Sequence, residues 1–183
     1  MKRLLLILLS FSFISCSYKV MPEKSFQKNE QQFEKVLILS YLPMTSSRKL
    51  SKKLYKALES ESETEIELYA PKLTEMMSTD FDLNSDEMGE DVFLNLAKDA
   101  GADLVIYLLD KSSKTQTIRN RFGDLQASEL GSGIEVQLID VATEEVINTT
   151  EIEIEYNTFG KGKMMKKASL EYVSLLKMNN LIQ

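Results

Sequence analysis

Gly101-Ala102-Asp103-Leu104-Val105-Ile106-Tyr107-Leu108-Leu109 joins a turn-forming glycine to six residues with no charge among them. A run of that length without polar alternation reads as a strand buried on both faces, as in a sheet covered by helices. Immediately upstream, the spacing predicts a helix from about Asp86 to Ala100. Val92, Phe93, Leu96, Ala97 and Ala100 form its buried stripe, and Gly101 sits at the position after the helix where left-handed backbone is common. Val36-Leu37-Ile38-Leu39-Ser40-Tyr41-Leu42, ending at Pro43, has the same doubly buried character. Thr45, Ser46 and Ser47 then offer helix caps, and Leu50, Leu54, Ala57 and Leu58 follow at helical spacing. Lys49, Lys52, Lys53 and Lys56 occupy the other side and read as a solvated helix face. Glu65-Ile66-Glu67-Leu68-Tyr69-Ala70 alternates and ends at Pro71, as a second strand would. Two successive strand–helix–strand units imply right-handed crossovers and a layered α/β core. The expected class is α/β (α+β mixed), a mixed sheet flanked by about three helices.

The C-terminal half reads differently. Lys111 to Gly133 is polar and loop-like, with room for a short edge strand near Thr115 to Arg119. Ile134-Glu135-Val136-Gln137-Leu138 and Ile152-Glu153-Ile154-Glu155-Tyr156 alternate strictly, so a long antiparallel hairpin with one wet face is expected across Asp140 to Glu145. A closing helix from about Lys163 to Lys177 turns Met165, Ala168, Tyr172, Leu175 and Leu176 inward.

Two of these stretches carry a resemblance. Ala100-Gly101-Ala102-Asp103-Leu104-Val105-Ile106 resembles the "GAD" signature before the central strand in a group of bacterial periplasmic domains. Val136-Gln137-Leu138-Ile139-Asp140-Val141-Ala142-Thr143-Glu144-Glu145-Val146 is similar to that group's hairpin pattern of apolar strand, Asp, x, x, Thr, turn and apolar strand. The group includes the amino-terminal domain of TolB and the periplasmic domain of the curli-secretion lipoprotein. The resemblance spans roughly Lys35 to Lys177. It implies a mixed sheet with helices on both faces, and a role in envelope assembly or protein contact without catalysis. The chain lacks TolB's propeller and the alternating apolar segments of the curli pore.

The N-terminus speaks to address. Lys2 and Arg3 precede an apolar stretch from Leu4 to Ile14, then Ser15 and Cys16, the only cysteine. This is the layout of a secretory signal, too short for a spanning helix of about 20 residues. Phe13-Ile14-Ser15-Cys16 resembles the lipobox of bacterial lipoproteins, with Phe13 where leucine is more common. The resemblance implies cleavage after residue 15 and acylation of Cys16, with palmitate among the chains. Ser17 is similar to the residue that directs such lipoproteins to the outer membrane. The expected layout is residues 1–15 as signal peptide, 16–34 as lipidated cysteine and flexible tether, and 35–183 as one periplasmic domain. At about 5–6 Å × √n, the eighteen tether residues would hold the domain roughly 25 Å from the bilayer.

Composition removes whole classes of chemistry. There is no histidine, so triads with an imidazole base and zinc sites of Cys and His are excluded. Loss of the leader takes the formal charge from −6 to −8, because it carries two basic residues and no acidic one. So acidic a chain disfavours nucleic acid, or the anionic face of a bilayer, as a partner. Asp80 to Asp91 resembles an EF-hand calcium loop in its oxygens at positions 1, 3, 5 and 7, but Ser85 replaces the turn glycine and Asp91 the bidentate glutamate. It reads as a solvated acidic loop. Gly160-Lys161-Gly162-Lys163 lacks the phosphate-loop spacing and reads as a turn. Asp103 and Asp110 have no spacing suited to acid–base work. Arg119, Arg121 and Phe122 form a small basic-aromatic cluster, a candidate partner contact. No catalytic residue, metal or cofactor is expected.

The expected function is that of an outer-membrane lipoprotein facing the periplasm, anchored through its lipid, whose domain binds another envelope protein or component. The segment from Lys111 to Gly133 and the wet hairpin face are the expected contact regions. A small-ligand or calcium-binding lipoprotein is the alternative, and a histidine-free enzyme the more remote one.

Overall fold

The computed structural model describes residues 16–23, 26, 32–40, 46–69, 90–119, 125–156 and 160–183. In chain order these form β1 (Ser17–Pro22), β2 (Lys35–Leu39), α1 (Ser46–Glu61), β3 (Glu65–Tyr69), α2 (Glu90–Ala100), β4 (Leu104–Arg119), β5 (Leu125–Asp140), β6 (Glu145–Glu155) and α3 (Lys161–Met178). One six-stranded sheet runs in the order β1-β6-β5-β4-β2-β3. β2 pairs parallel with β3 and β4, and the remaining neighbours are antiparallel. The α/β expectation holds, with β4 near the centre of the sheet as its apolar run requires.

Alternation along the central strands divides the core between two faces. Val36, Ile38, Leu104, Ile106 and Leu108 point to one side, with Ile134, Val136 and Leu138 of β5 and Ile152 and Ile154 of β6. Leu50, Leu54 and Leu58 of α1, and Met165, Ala168, Tyr172 and Leu176 of α3, cover that side. Leu37, Leu39, Val105, Ile139 and Val141 form the other side, under Phe93, Leu94 and Ala97 of α2. A strand flanked by helices on both faces must be apolar at every position, which is why the sequence of β4 starts without alternation. On α3, Leu175 is only half-buried, while Met164, Ser169 and Val173 join the buried stripe.

The Gly101-Ala102-Asp103 motif does three pieces of structural work. Gly101 adopts φ +66°, Ala102 N–H donates to the Ala97 carbonyl at 2.9 Å, and Gly101 N–H to that of Lys98 at 3.0 Å. These two bonds close the last turn of α2 as a Schellman motif. The Asp103 carboxylate then accepts the Glu34 and Lys35 N–H groups at 3.2 and 3.1 Å, fixing where β2 begins.

Two expectations are corrected. The stretch read as a flexible tether, 17–34, contains β1, with Ser17 opposite Glu155 and Pro22 opposite Thr150. Tyr18 and Val20 face the core cluster between more exposed neighbours, and Phe33 is buried with its N–H on the Leu181 carbonyl at 2.9 Å. Pro22, which has no N–H to donate, stands at the end of an edge strand, where it is tolerated. The region read as a polar loop, Lys111 to Gly133, is mostly ladder: β4 reaches Arg119, and β5 begins at Leu125. Backbone pairing in a ribbon needs no apolar side chains, so polarity there was no argument against strands. The ribbon bends through register shifts between Asp110 and Ser112 and between Lys114 and Thr115.

Candidate functional site

α1 and α3 lie side by side in the same direction. At their starts Lys161 Nζ donates to Ser46 Oγ at 3.1 Å, and at their ends Lys177 Nζ donates to the Glu61 carbonyl oxygen. Beside these starts is a groove of about 660 Å³. Its apolar surface comes from Tyr55 of α1, Leu68 of β3, and Gly162 and Met165 of α3. Its rim is cationic: Lys49, Lys52, Lys53 and Lys56 of α1, with Lys161 of α3. Spacings of three, four and seven place the four α1 lysines on one helix face. No carboxylate lines the groove among the described residues.

The four α1 lysines have no counter-charge among the described residues. None of the four α1 lysines forms an ion pair with a described carboxylate; the ion pairs among the described residues lie elsewhere, at Lys35 with Glu65 and Glu67, at Lys98–Glu144 and at Lys111–Glu135. In the first and last of these the carboxylate's hydrogen bond raises the lysine pKa above its usual value. The nearby Asp110 is engaged by the start of α1: Ser47 N–H donates to Oδ1 at 3.1 Å and the Ser47 hydroxyl to Oδ2. That carboxylate serves as a cap supplied from β4. Lys161 is positioned by Ser46 and by the Tyr156 ring, 4.6 Å beneath its ammonium.

Glutamates collect on the opposite face of the hairpin, at the end away from α2. Glu135 lies opposite Glu151, Gly133 opposite Glu153, and Gly131 opposite Glu155. Lys111 Nζ reaches Glu135 Oε2 at 2.6 Å, and the Ser17 hydroxyl donates to Glu155 Oε2 at 3.3 Å. The net negative charge of the chain therefore conceals a segregated surface, basic over the helix starts and acidic over the open sheet.

Of the residues singled out in the sequence, Arg119 ends β4, while Arg121 and Phe122 lie outside the described residues. Residues 80–89 of the acidic loop also lie outside them. Asp103 and Asp110 both act as acceptors for backbone N–H groups. Among the described residues no cluster of three His, Cys, Asp or Glu is placed to hold a metal ion. Gly160-Lys161-Gly162-Lys163, read as a turn, contains the first residues of α3 and part of the groove wall. The groove itself was missed. Its signal was present: four lysines on one helix face, and two helices with no acidic residue in their first turns, where acids are favoured.

No protein-family model and no curated protein matches the chain. Solved structures do. The PelC dodecamer from Paraburkholderia phytofirmans is 10% identical and has a TM-score of 0.52, with 92% of this chain and 100% of that chain covered. A point variant of the same protein is 11% identical with a TM-score of 0.53, over 86% of this chain and 98% of that one. Lipoprotein GNA1162 from Neisseria meningitidis is 14% identical with a TM-score of 0.41, over 76% and 97%. At these identities the PelC likeness is one of fold. No helix among the described residues is long and apolar enough to cross a membrane.

Proposed function

We propose that this chain is an outer-membrane lipoprotein whose domain faces the periplasm and serves as a non-catalytic docking platform for another envelope component. The anchor is the acylated Cys16, and the leader before it is removed on export. One observation carries the reading: the sheet begins at Ser17, directly after the only cysteine. Cys16 itself packs against the main core cluster. A lipid on its sulfur would therefore hold the domain against the bilayer, without the roughly 25 Å of slack that a flexible tether of eighteen residues would give. Anchoring of this kind confines the domain to a thin layer and raises its effective concentration near other envelope components.

Intact-mass measurement of the protein purified from membranes tests the anchor. Loss of residues 1–15 together with added mass from acyl chains is the expected result, and Cys16→Ala should leave the membrane fraction. An unmodified sulfur in the wild-type protein would end the proposal. Crosslinking in intact cells, followed by identification of captured peptides, tests the docking role. Crosslinks from the β4–β5 ribbon or the hairpin face to one reproducible envelope component are expected.

A further inference from the structure

We infer that the lysine-rimmed groove between α1 and α3 is a binding site for an anionic phospholipid of the leaflet that carries the anchor. Its phosphate would lie among the lysines and part of one acyl chain along Tyr55, Leu68 and Met165. The groove volume of about 660 Å³ lies within the roughly 300–1,000 Å³ of ordinary ligand sites. Its chemistry is that of an amphiphile receptor, an apolar wall with charge of one sign along the rim. Residues 46–58 hold five cations and 161–170 hold four, and neither range contains a carboxylate. Like charges at this density repel one another, and Lys49 also stands in the first turn of α1, where the macrodipole disfavours it. An anion in the groove would relieve both costs.

Topology puts this surface at the membrane end of the domain. Ser17 pairs with Glu155, and the next residue, Tyr156, lies under Lys161 on the groove rim. Cys16 and the starts of both helices thus share one end of the sheet. The inference rests on the proposed anchor only for the source of its ligand; the groove chemistry stands apart from it.

The test is native mass spectrometry of the membrane-purified protein released from nonionic detergent, with single-chain phosphatidylglycerol or single-chain phosphatidylcholine as probe. One retained phosphatidylglycerol per chain is expected, with phosphatidylcholine held far more weakly because choline cancels the phosphate charge. Lys52→Gln with Lys56→Gln leaves the fold unchanged, since both side chains are exposed. Loss of two phosphate contacts should weaken retention about tenfold. Equal retention of the two probes, or retention untouched by the double variant, overturns the site. Crosslinks in cells from these lysines to carboxylates of another protein, with no lipid retained, overturn it in favour of an acidic peptide. The polypeptide mass in the same spectrum reports the state of Cys16 separately, so failure of the anchor and failure of the groove are distinguishable.

Discussion

Gly101 holds φ at +66° where α2 stops, and a Cβ added there would meet no atom within 4 Å. The cost of Gly101→Ala is therefore conformational, about 1–2 kcal/mol for a left-handed alanine. Urea unfolding should show that loss, with Gly101→Asn losing less because asparagine tolerates the conformation better. A fully stable alanine variant would contradict the Schellman account of this turn. Tyr172 poses the opposite case. Its side chain is wholly buried under α3, and its hydroxyl lies near that of Thr150 without a well-formed hydrogen bond among the described residues. The adjacent Thr150 hydroxyl donates instead to Asn148 Oδ1 at 2.9 Å. Tyr172→Phe should leave stability unchanged or raise it by up to about 1 kcal/mol, because a buried polar group without a well-formed hydrogen bond is lost. Tyr172→Ala should cost about 3–5 kcal/mol through the cavity it leaves. Burial pushes the phenol pKa far above its usual value of 10.0. The unfolded chain then releases this proton above pH 10 while the folded chain keeps it, so stability falls as pH rises past that point. The fall should be shallower in Tyr172→Phe, as chemical denaturation at pH 9 and 11 would show. Both residues were legible in the sequence, the glycine from its place behind a helical stripe and the tyrosine from its place within one. The backbone duties of Asp103 and Asp110 were not, because a carboxylate's target can lie anywhere the fold brings an N–H group.

The elements read correctly were those whose pattern comes from burial. β2, β3, the start of β4, the β5–β6 hairpin and the three described helices carry an apolar run or a clear period, because each faces a core. β1 and the β4–β5 ribbon were lost because edge strands and exposed ribbons are held by backbone pairing, which leaves little trace in side-chain polarity. In β1 only Tyr18 and Val20 mark the inward face, too few to stand out from a polar stretch. Lys111 and Glu135 bind the ribbon where it leaves the rest of the sheet. Glu135 is nearly buried and accepts from Lys111 Nζ at 2.6 Å and from Gln137 Nε2 at 2.7 Å. Lys111→Met removes one of these partners and should lower the urea midpoint. Adding Glu135→Gln, which removes the charge left behind, should recover much of the loss. If the double variant is no better than the single one, the pair does not act through Glu135. Glu135 raises the Lys111 pKa, so the pair's contribution is complete below the unfolded lysine value of 10.5 and fades as pH rises through the higher folded value.

At the scale of the molecule, sequence composition misled where it averaged. A formal charge of −6 argued against any anionic surface as partner, yet the fold gathers lysines over two helix starts and glutamates over the open sheet. Segregation of this kind depends on which elements become neighbours, and only the parallel packing of α1 and α3 brings their basic halves together. The same topology places Cys16 beside that basic end. If the anchor holds the groove against the leaflet, the absence of slack between cysteine and sheet is what makes the groove work. Inserting a Gly-Ser spacer of twelve residues between Cys16 and Ser17 should leave the unfolding midpoint unchanged, since β1 keeps its pairing with β6. It should also free the domain to stand off by roughly 20 Å, at about 5–6 Å × √n. A photoactivatable phosphatidylglycerol in intact cells should then label α1 strongly in the wild-type protein and weakly in the spacer variant. The acylation seen by mass should be the same in both. Equal labelling would mean that the lysines meet lipid without help from the short anchor, and the link between anchor and groove would have to be given up.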